Sequence, residues 1–184
     1  MIRLAVFLAA SAGILKLSWR SLRDPRCHGF YRFFAFEALA ALILYNAPVW
    51  FVDPLSPRQL GSWLLGAISI ALAAEGFRLL HAMGRPSKEA ASARADLAFE
   101  RTTRLVRTGV YRFIRHPLYA SLLAATWCAH LKNPEAAASL GLALAASAFL
   151  TATAVAEEVE NLERFGLDYA AYMRRTRRFI PFVF

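Results

Sequence analysis

Apolar residues along the chain come in five long runs, and the charged residues gather between them. The runs are about Ile2–Trp19, Phe30–Phe51, Leu60–His81, Pro117–Leu131 and Pro134–Glu157. All but the fourth are long enough to cross a bilayer core of ~30 Å as helices. The fourth is shorter, and with Asn133-Pro134 as its turn it reads as one arm of a tight helical hairpin with the fifth. No internal repeat, low-complexity tract or second domain interrupts the pattern. The expected fold is therefore all-α: one polytopic membrane domain over residues 1–184 with about five transmembrane helices, the first three within residues 1–82.

Outside the runs, two segments carry structure of their own. The polar stretch from Met83 to Arg115 begins with Gly84-Arg-Pro86, and its Glu89–Phe99 portion predicts a short amphipathic helix on the surface. After the fifth run, Phe165-Gly166 predicts a helix end, glycine being the natural residue there. Asp168 then predicts the cap of a new helix, Tyr169–Arg178. Tyr169, Tyr172, Met173 and Thr176 fall on one of its faces, the pattern of an amphipathic helix lying at a membrane surface.

Composition sharpens this reading. The chain is 58% hydrophobic yet carries a formal charge of +9, with a mean hydropathy of +0.38. A disordered chain is never so apolar, and a soluble domain of this size rarely is. The basic residues cluster at the ends of the apolar runs, which fits an anionic membrane surface rather than nucleic acid.

Charge also orients the chain. Arg20, Arg23, Arg26 and Arg32 fall in the first loop. Arg85, Lys88, Arg94, Arg101, Arg104, Arg107, Arg112 and Arg115 fall in the third, and Arg164, Arg174, Arg175, Arg177 and Arg178 in the tail. The opposite side holds only Arg58 and Lys132, with Arg3 at the N-terminus. By the positive-inside rule the N-terminus is outside and the C-terminal helix cytoplasmic. The first run lacks a small-residue cleavage pattern and reads as a retained helix. Arginine far outnumbers lysine and alanine is abundant, which points to a GC-rich bacterial genome and hence an inner membrane. Cys27 and Cys128 fall at different membrane depths, so no disulfide is expected. Cys27-His28 and Cys128 with His130 offer too few clustered ligands for a zinc site, and no metal is expected.

The residues suited to chemistry sit at the cytoplasmic helix ends. The stretch Gly109-x-Tyr111-x-x-x-Arg115-His116-Pro117-x-Tyr119 leads into the fourth run. The fifth run ends in Glu157-Glu158, followed by Leu162-x-x-Phe165-Gly166-x-x-Tyr169-x-x-Tyr172 and a closing Arg178-Phe-Ile-Pro181. In order and spacing these segments resemble the isoprenylcysteine carboxyl methyltransferase family, whose core the phospholipid N-methyltransferases share. The resemblance covers residues 103–181, and the earlier helices match only in being apolar. It implies an integral membrane enzyme that uses S-adenosylmethionine, enclosed by the cytoplasmic ends of the last two helices and the tail. The implied reaction is methyl transfer to a membrane-partitioned acceptor: a carboxylate, thiol or amine on an isoprenoid or lipid-like molecule.

Each position has a chemical reading and a plainer one. Arg115 suits the cofactor carboxylate by two-point pairing, or anchors the helix at headgroups. His116 suits a hydrogen bond to cofactor or a proton shuttle, or caps a helix. Pro117 fits a first helical turn, where its missing N–H costs nothing. Tyr111 and Tyr119 suit packing against adenine, or an interfacial aromatic belt. The resemblance places Glu157 and Glu158 on the cofactor, where a carboxylate can bind ammonium or ribose hydroxyls and favour a sulfonium. About 100° separates adjacent helical positions, so the two carboxylates do different jobs. Asn161, one turn from Glu157, extends its face, whereas Glu160 and Glu163 read as solvated surface. Tyr169, Tyr172 and Arg174 close the site from the tail. The catalytic set is then Arg115, His116 and Glu158.

Glu37 and Glu75 go beyond the resemblance. An acid inside an apolar span faces a partner or a cavity. The two are expected at a common depth, lining the acceptor chamber; the alternative is pairing with Lys16 or Arg78. Two other classes stay open: an NADPH-dependent sterol-type reductase, which also carries a His-Pro-x-Tyr-like motif, and a non-catalytic membrane protein on the same helical shell. The Glu157-Glu158 pair favours the methyltransferase.

Overall fold

The computed structural model describes residues 1–84 and 103–183. The expected Glu89–Phe99 helix and the basic residues Arg85, Lys88, Arg94 and Arg101 lie outside them. Among the described residues six α-helices follow one another: α1 Ile2–Ser18, α2 His28–Asn46, α3 Pro57–Met83, α4 Pro117–His130, α5 Ala137–Phe165 and α6 Leu167–Arg175. Among the described residues there is no strand, only a lone parallel bridge between Ile114 and Arg177.

The helix ends follow from local chemistry. Ser56 caps α3 by accepting from the Gln59 amide at 3.3 Å, and Pro57 fills the first helical position. Pro117 does the same for α4. α5 runs two turns past Glu157 and stops at Gly166, whose φ of +54° only glycine adopts without strain. Gly166 also precedes α6, so the new helix starts at Leu167 rather than being capped by Asp168, which lies in its first turn and pairs with Arg107 at 3.3 Å. α6 ends at Arg175, before the expected Arg178, because Arg177 is extended and bonded to the segment before α4.

Among the described residues three segments are long and apolar enough to cross a membrane: His28–Val49, Pro57–Met83 and Ala137–Phe165. α1, with 17 residues, and α4, with 14, are shorter; at 1.5 Å per residue they reach roughly 26 and 21 Å against a core of ~30 Å. The lateral distribution of side chains suits a bilayer. α3 exposes Leu64, Ile70 and Phe77 while burying Gln59 and Ser62. The α5 core is made of small residues, Ala143, Ala146 and Ala154 being fully enclosed, which lets helices approach closely without a hydrophobic drive.

Two pairings organise the bundle. α2 packs mainly on α5 and α3 mainly on α4, with α4 and α5 joining the pairs and α1 lying against α2. α2 and α3 make little direct contact. The gap between them is where the site lies.

Candidate functional site

Gly109 sets up the segment that enters α4. Its φ is +58°, and a Cβ there would stand 2.6 Å from Leu79 Cδ1, so only glycine fits this turn against α3. After one 3-10 turn, the backbone clips onto the tail. Arg177 N donates to Phe113 O at 3.0 Å, Arg115 N to Arg177 O at 2.8 Å and His116 N to Arg178 O at 3.2 Å. The tail thus fixes His116 in front of α4, whose first turn receives the His116 carbonyl through Ala120 N at 2.9 Å.

Glu158 lies behind this junction, between two guanidiniums. Arg115 Nε donates to its Oε1 at 2.8 Å and Arg178 Nη2 to its Oε2 at 2.8 Å. Arg115 Nη1 also donates to Thr176 O at 2.6 Å. These charge-assisted bonds tie α5, the motif and the tail into one knot. The bond to Glu158 holds the Arg178 guanidinium above its already high range. His116 stands beside the knot, with Nε2 3.4 Å from Glu158 Oε1 and Nδ1 3.9 Å from Glu157 Oε2. Its ring stacks on Tyr119 at 5.5 Å between centroids. Nε2 is buried, and among the described residues it has no well-formed hydrogen bond beyond this 3.4 Å approach to Glu158.

A cavity of about 380 Å³ opens in front of these groups. Tyr111, Arg115, His116, Pro117 and Tyr119 line it from the motif and α4, Glu157 and Asn161 from α5, and Tyr169 and Tyr172 from α6. Every cofactor position expected from sequence lines it except Glu158. The phenols are placed by their own bonds. Tyr119 is hydrogen-bonded to Glu157, Tyr169 to Asn161, and Tyr172 donates to Tyr111 O at 2.7 Å. Burial pushes the Tyr111, Tyr169 and Tyr172 hydroxyls up, with the Glu157 charge adding to the first two. All three remain protonated donors at neutral pH.

Several residues stand elsewhere than the sequence reading put them. Arg115 reaches the cavity, but its guanidinium is committed to Glu158 and the tail, which makes it a positioning residue. Glu158, engaged on both oxygens, shares that role. Glu37 Oε2 accepts from Ser11 on α1 rather than pairing with Lys16, whereas Glu75 takes the alternative read from sequence, two 2.8 Å bonds from Arg78 one turn away on the outer face of α3. Neither acid lines the cavity; each is drawn to a nearer partner. Glu160, read as solvated, caps α2 instead: its Oε1 accepts from His28 N at 2.9 Å and its Oε2 faces the His28 ring at 2.8 Å. It also brings a third ligand atom within 4.8 Å of those of Cys27 and His28, which sequence spacing did not reveal.

The residue missed altogether is Arg32. Counted among the loop charges, it belongs to α2, is 1% exposed and lines the cavity. Its position inside the second apolar run was the available signal. Phe36 lines the cavity one turn further on, and Ala73 and Phe77 face it from α3. Set against protein-family models, curated proteins and solved structures, the chain matches none, so its functional reading rests on this geometry.

Proposed function

We propose that this chain is an integral membrane methyltransferase, using S-adenosylmethionine to methylate a hydrophobic acceptor that arrives through the bilayer. The observation that carries the reading is the convergence on one cavity of segments far apart in sequence: the Tyr111–Tyr119 motif, Glu157 with Asn161, and Tyr169 with Tyr172. In this reading α1 and α4 complete five spans, the N-terminus is outside, the tail is cytoplasmic and the membrane is a bacterial inner membrane.

The donor set suits the cofactor. A carboxylate in the wall, Glu157, fits an ammonium, ribose hydroxyls or a sulfonium. Four buried phenols, Tyr111, Tyr119, Tyr169 and Tyr172, and the amide of Asn161 fit an adenine and its hydrogen-bonding edge. His116 Nε2, buried and held only at 3.4 Å from Glu158 Oε1, is a position that a guest hydroxyl or carboxylate completes. S-adenosylmethionine, when bound, supplies an electrophilic methyl group on a cationic sulfur. The chain's own contribution is alignment and exclusion of water. The Arg115–Glu158–Arg178 knot fixes the tail over the cavity, Pro117 aims His116, and Glu157 supplies the negative charge.

Calorimetric titration of the detergent-purified protein with S-adenosylhomocysteine, and separately with NADPH, tests this. Micromolar binding of the former is expected, lost in Glu157→Gln and His116→Ala variants that still melt cooperatively. NADPH binding in its place would move the assignment to a reductase. Binding of neither would sink the enzymatic reading.

A further inference from the structure

The first loop and the last turns of α5 meet at a second cluster of chemically able side chains, outside the cavity. A sulfur from Cys27, a ring nitrogen from His28 and a carboxylate oxygen from Glu160 all lie within 4.8 Å of one another. None of the three residues lines the cavity. Cys27 and His28 are buried, and the Glu160 side chain is only 13% exposed.

Local backbone geometry brings the cluster together. Asp24 N donates to Ser21 O at 3.1 Å and Cys27 N to Asp24 O at 3.0 Å, which turns the loop so that the thiol stands at the start of α2. Its sulfur is 3.6 Å from the Ser21 hydroxyl. Glu160 arrives from α5 with Oε1 on His28 N at 2.9 Å and Oε2 on His28 Nδ1 at 2.8 Å. Capping α2 uses Oε1. The second oxygen, set on an imidazole beside a buried thiol, completes a donor set of three different kinds.

Thiolate, imidazole and carboxylate are the ligand types of zinc, and three protein ligands with one water make a tetrahedral centre. With bonds of ~2.0–2.3 Å such ligands stand roughly 3.3–3.6 Å apart. His28 and Glu160 are somewhat closer than this, at 2.8 Å, and no pair is farther apart than 4.8 Å. Small side-chain rotations therefore reach the spacing. Coordination does not need idle atoms: it releases protons and exchanges the His28–Glu160 contact for bonds to the ion. The thiolate and the carboxylate together cancel a double positive charge, so a divalent cation adds no net charge to this enclosed place. The Ser21 hydroxyl is placed to donate to the thiolate, as the outer partners of metal ligands do. Magnesium and calcium prefer oxygen alone, so sulfur and imidazole select against them.

We propose that Cys27, His28 and Glu160 form a zinc site that staples the start of α2 to α5. These two helices are the most extensively packed pair in the bundle. Each also carries a cavity residue one turn from the cluster, Arg32 on α2 and Glu157 on α5. The ion thus fixes the spacing of two cavity walls without touching what binds between them. The proposal does not rest on the methyltransferase reading.

The test uses the whole chain in detergent, purified without a histidine tag, stripped with a chelator and titrated with Zn2+ or Co2+. The expected result is one Zn2+ per chain with sub-micromolar Kd, and a thiolate-to-cobalt charge-transfer band that Zn2+ abolishes. The band persists in Cys128→Ser, where Cys27 is the remaining cysteine, and vanishes in Cys27→Ser. Glu160→Gln weakens Zn2+ at least tenfold. Zinc raises the thermal melt of the wild type, as a ligand bound to the folded state does, and leaves that of Cys27→Ser unchanged. If Cys27→Ser does not fold, Cys128→Ser carries the test, because it leaves the three ligands in place. A missing thiolate band in the wild type, or a band lost in Cys128→Ser, overturns the proposal. Zinc binding equally tight in Cys27→Ser and Glu160→Gln also overturns it, marking an adventitious ion only. S-adenosylhomocysteine titrated alongside separates the two proposals: zinc bound by these ligands without it leaves the staple standing and removes the methyltransferase.

Discussion

At one end of the bundle the Lys132 ammonium lies 3.2 Å from the centre of the Trp63 ring and donates to Gln59 Oε1 at 2.7 Å. Beside it Asn46 Nδ2 donates to Ala129 O at 2.8 Å and to Ser139 Oγ at 2.9 Å, and His130 meets Ser139 at 3.1 Å. At the other end Arg115 and Arg178 close on Glu158, while Arg32, Glu157 and His116 line a cavity. Both ends bury charged and polar side chains where α2, α3, α4 and α5 converge. The Lys132 end uses its groups on one another and on backbone carbonyls, so it locks helix ends together. The Glu158 end has the same kind of lock at its back and a layer of groups facing a cavity at its front. Burial of polarity alone therefore does not mark a site; a cavity beside the buried groups does.

Substitutions can break this contrast. The largest effect is expected at the back of the site: Arg115→Ala leaves Glu158 with one guanidinium and strips Thr176 O of a donor. Breaking such a buried pair costs about 3–5 kcal/mol. A thermal melt in detergent should show the loss together with the loss of S-adenosylhomocysteine binding. At the far end, Lys132→Met strands Gln59 Oε1, for about 1–3 kcal/mol. It should lower the melt while cofactor affinity, read by calorimetry, stays at the wild-type value. Glu157→Gln should do the reverse, with little change in the melt and at least tenfold weaker S-adenosylhomocysteine, about 1.4 kcal/mol. Glu75→Gln should change neither quantity measurably, since the acid pairs with Arg78 on the outer face. A loss of binding there would mean that Glu75 belongs to the site after all.

Much of this arrangement was legible in the chain. Pro117 and Gly166 mark helix ends because backbone chemistry acts locally, and the apolar runs give α1 to α5 within a few residues at most ends. The far-apart segments from Tyr111 and from Glu157 could be placed at one membrane level from charge asymmetry alone. What escaped was lateral position. Hydropathy and charge counts fix depth, but they do not say which face of a helix meets which neighbour. Glu37, Glu75 and Arg32 share one description in sequence, a charge within or at the edge of an apolar run. In space one acid finds Ser11, the other Arg78, and only Arg32 meets the cavity. The same blindness hid Glu160, whose partner His28 lies 132 residues away. The end of α6 was misjudged for a related reason: helix propensity continues to Arg178, but pairing with the motif draws Arg177 out of the helix.

The bridge between Ile114 and Arg177 has a consequence for biogenesis. The carbonyl oxygens of Arg177 and Arg178 reach back more than sixty residues to hold Arg115 and His116. These contacts cannot form until Arg177 and Arg178 have left the ribosome. The helices from α1 to α4 emerge before then, so in the membrane reading their insertion begins before the site is assembled. A product ending just after α6 would keep its apolar helices but lack the Arg178–Glu158 bonds and the clip onto Arg115 and His116, and so have an unfinished site.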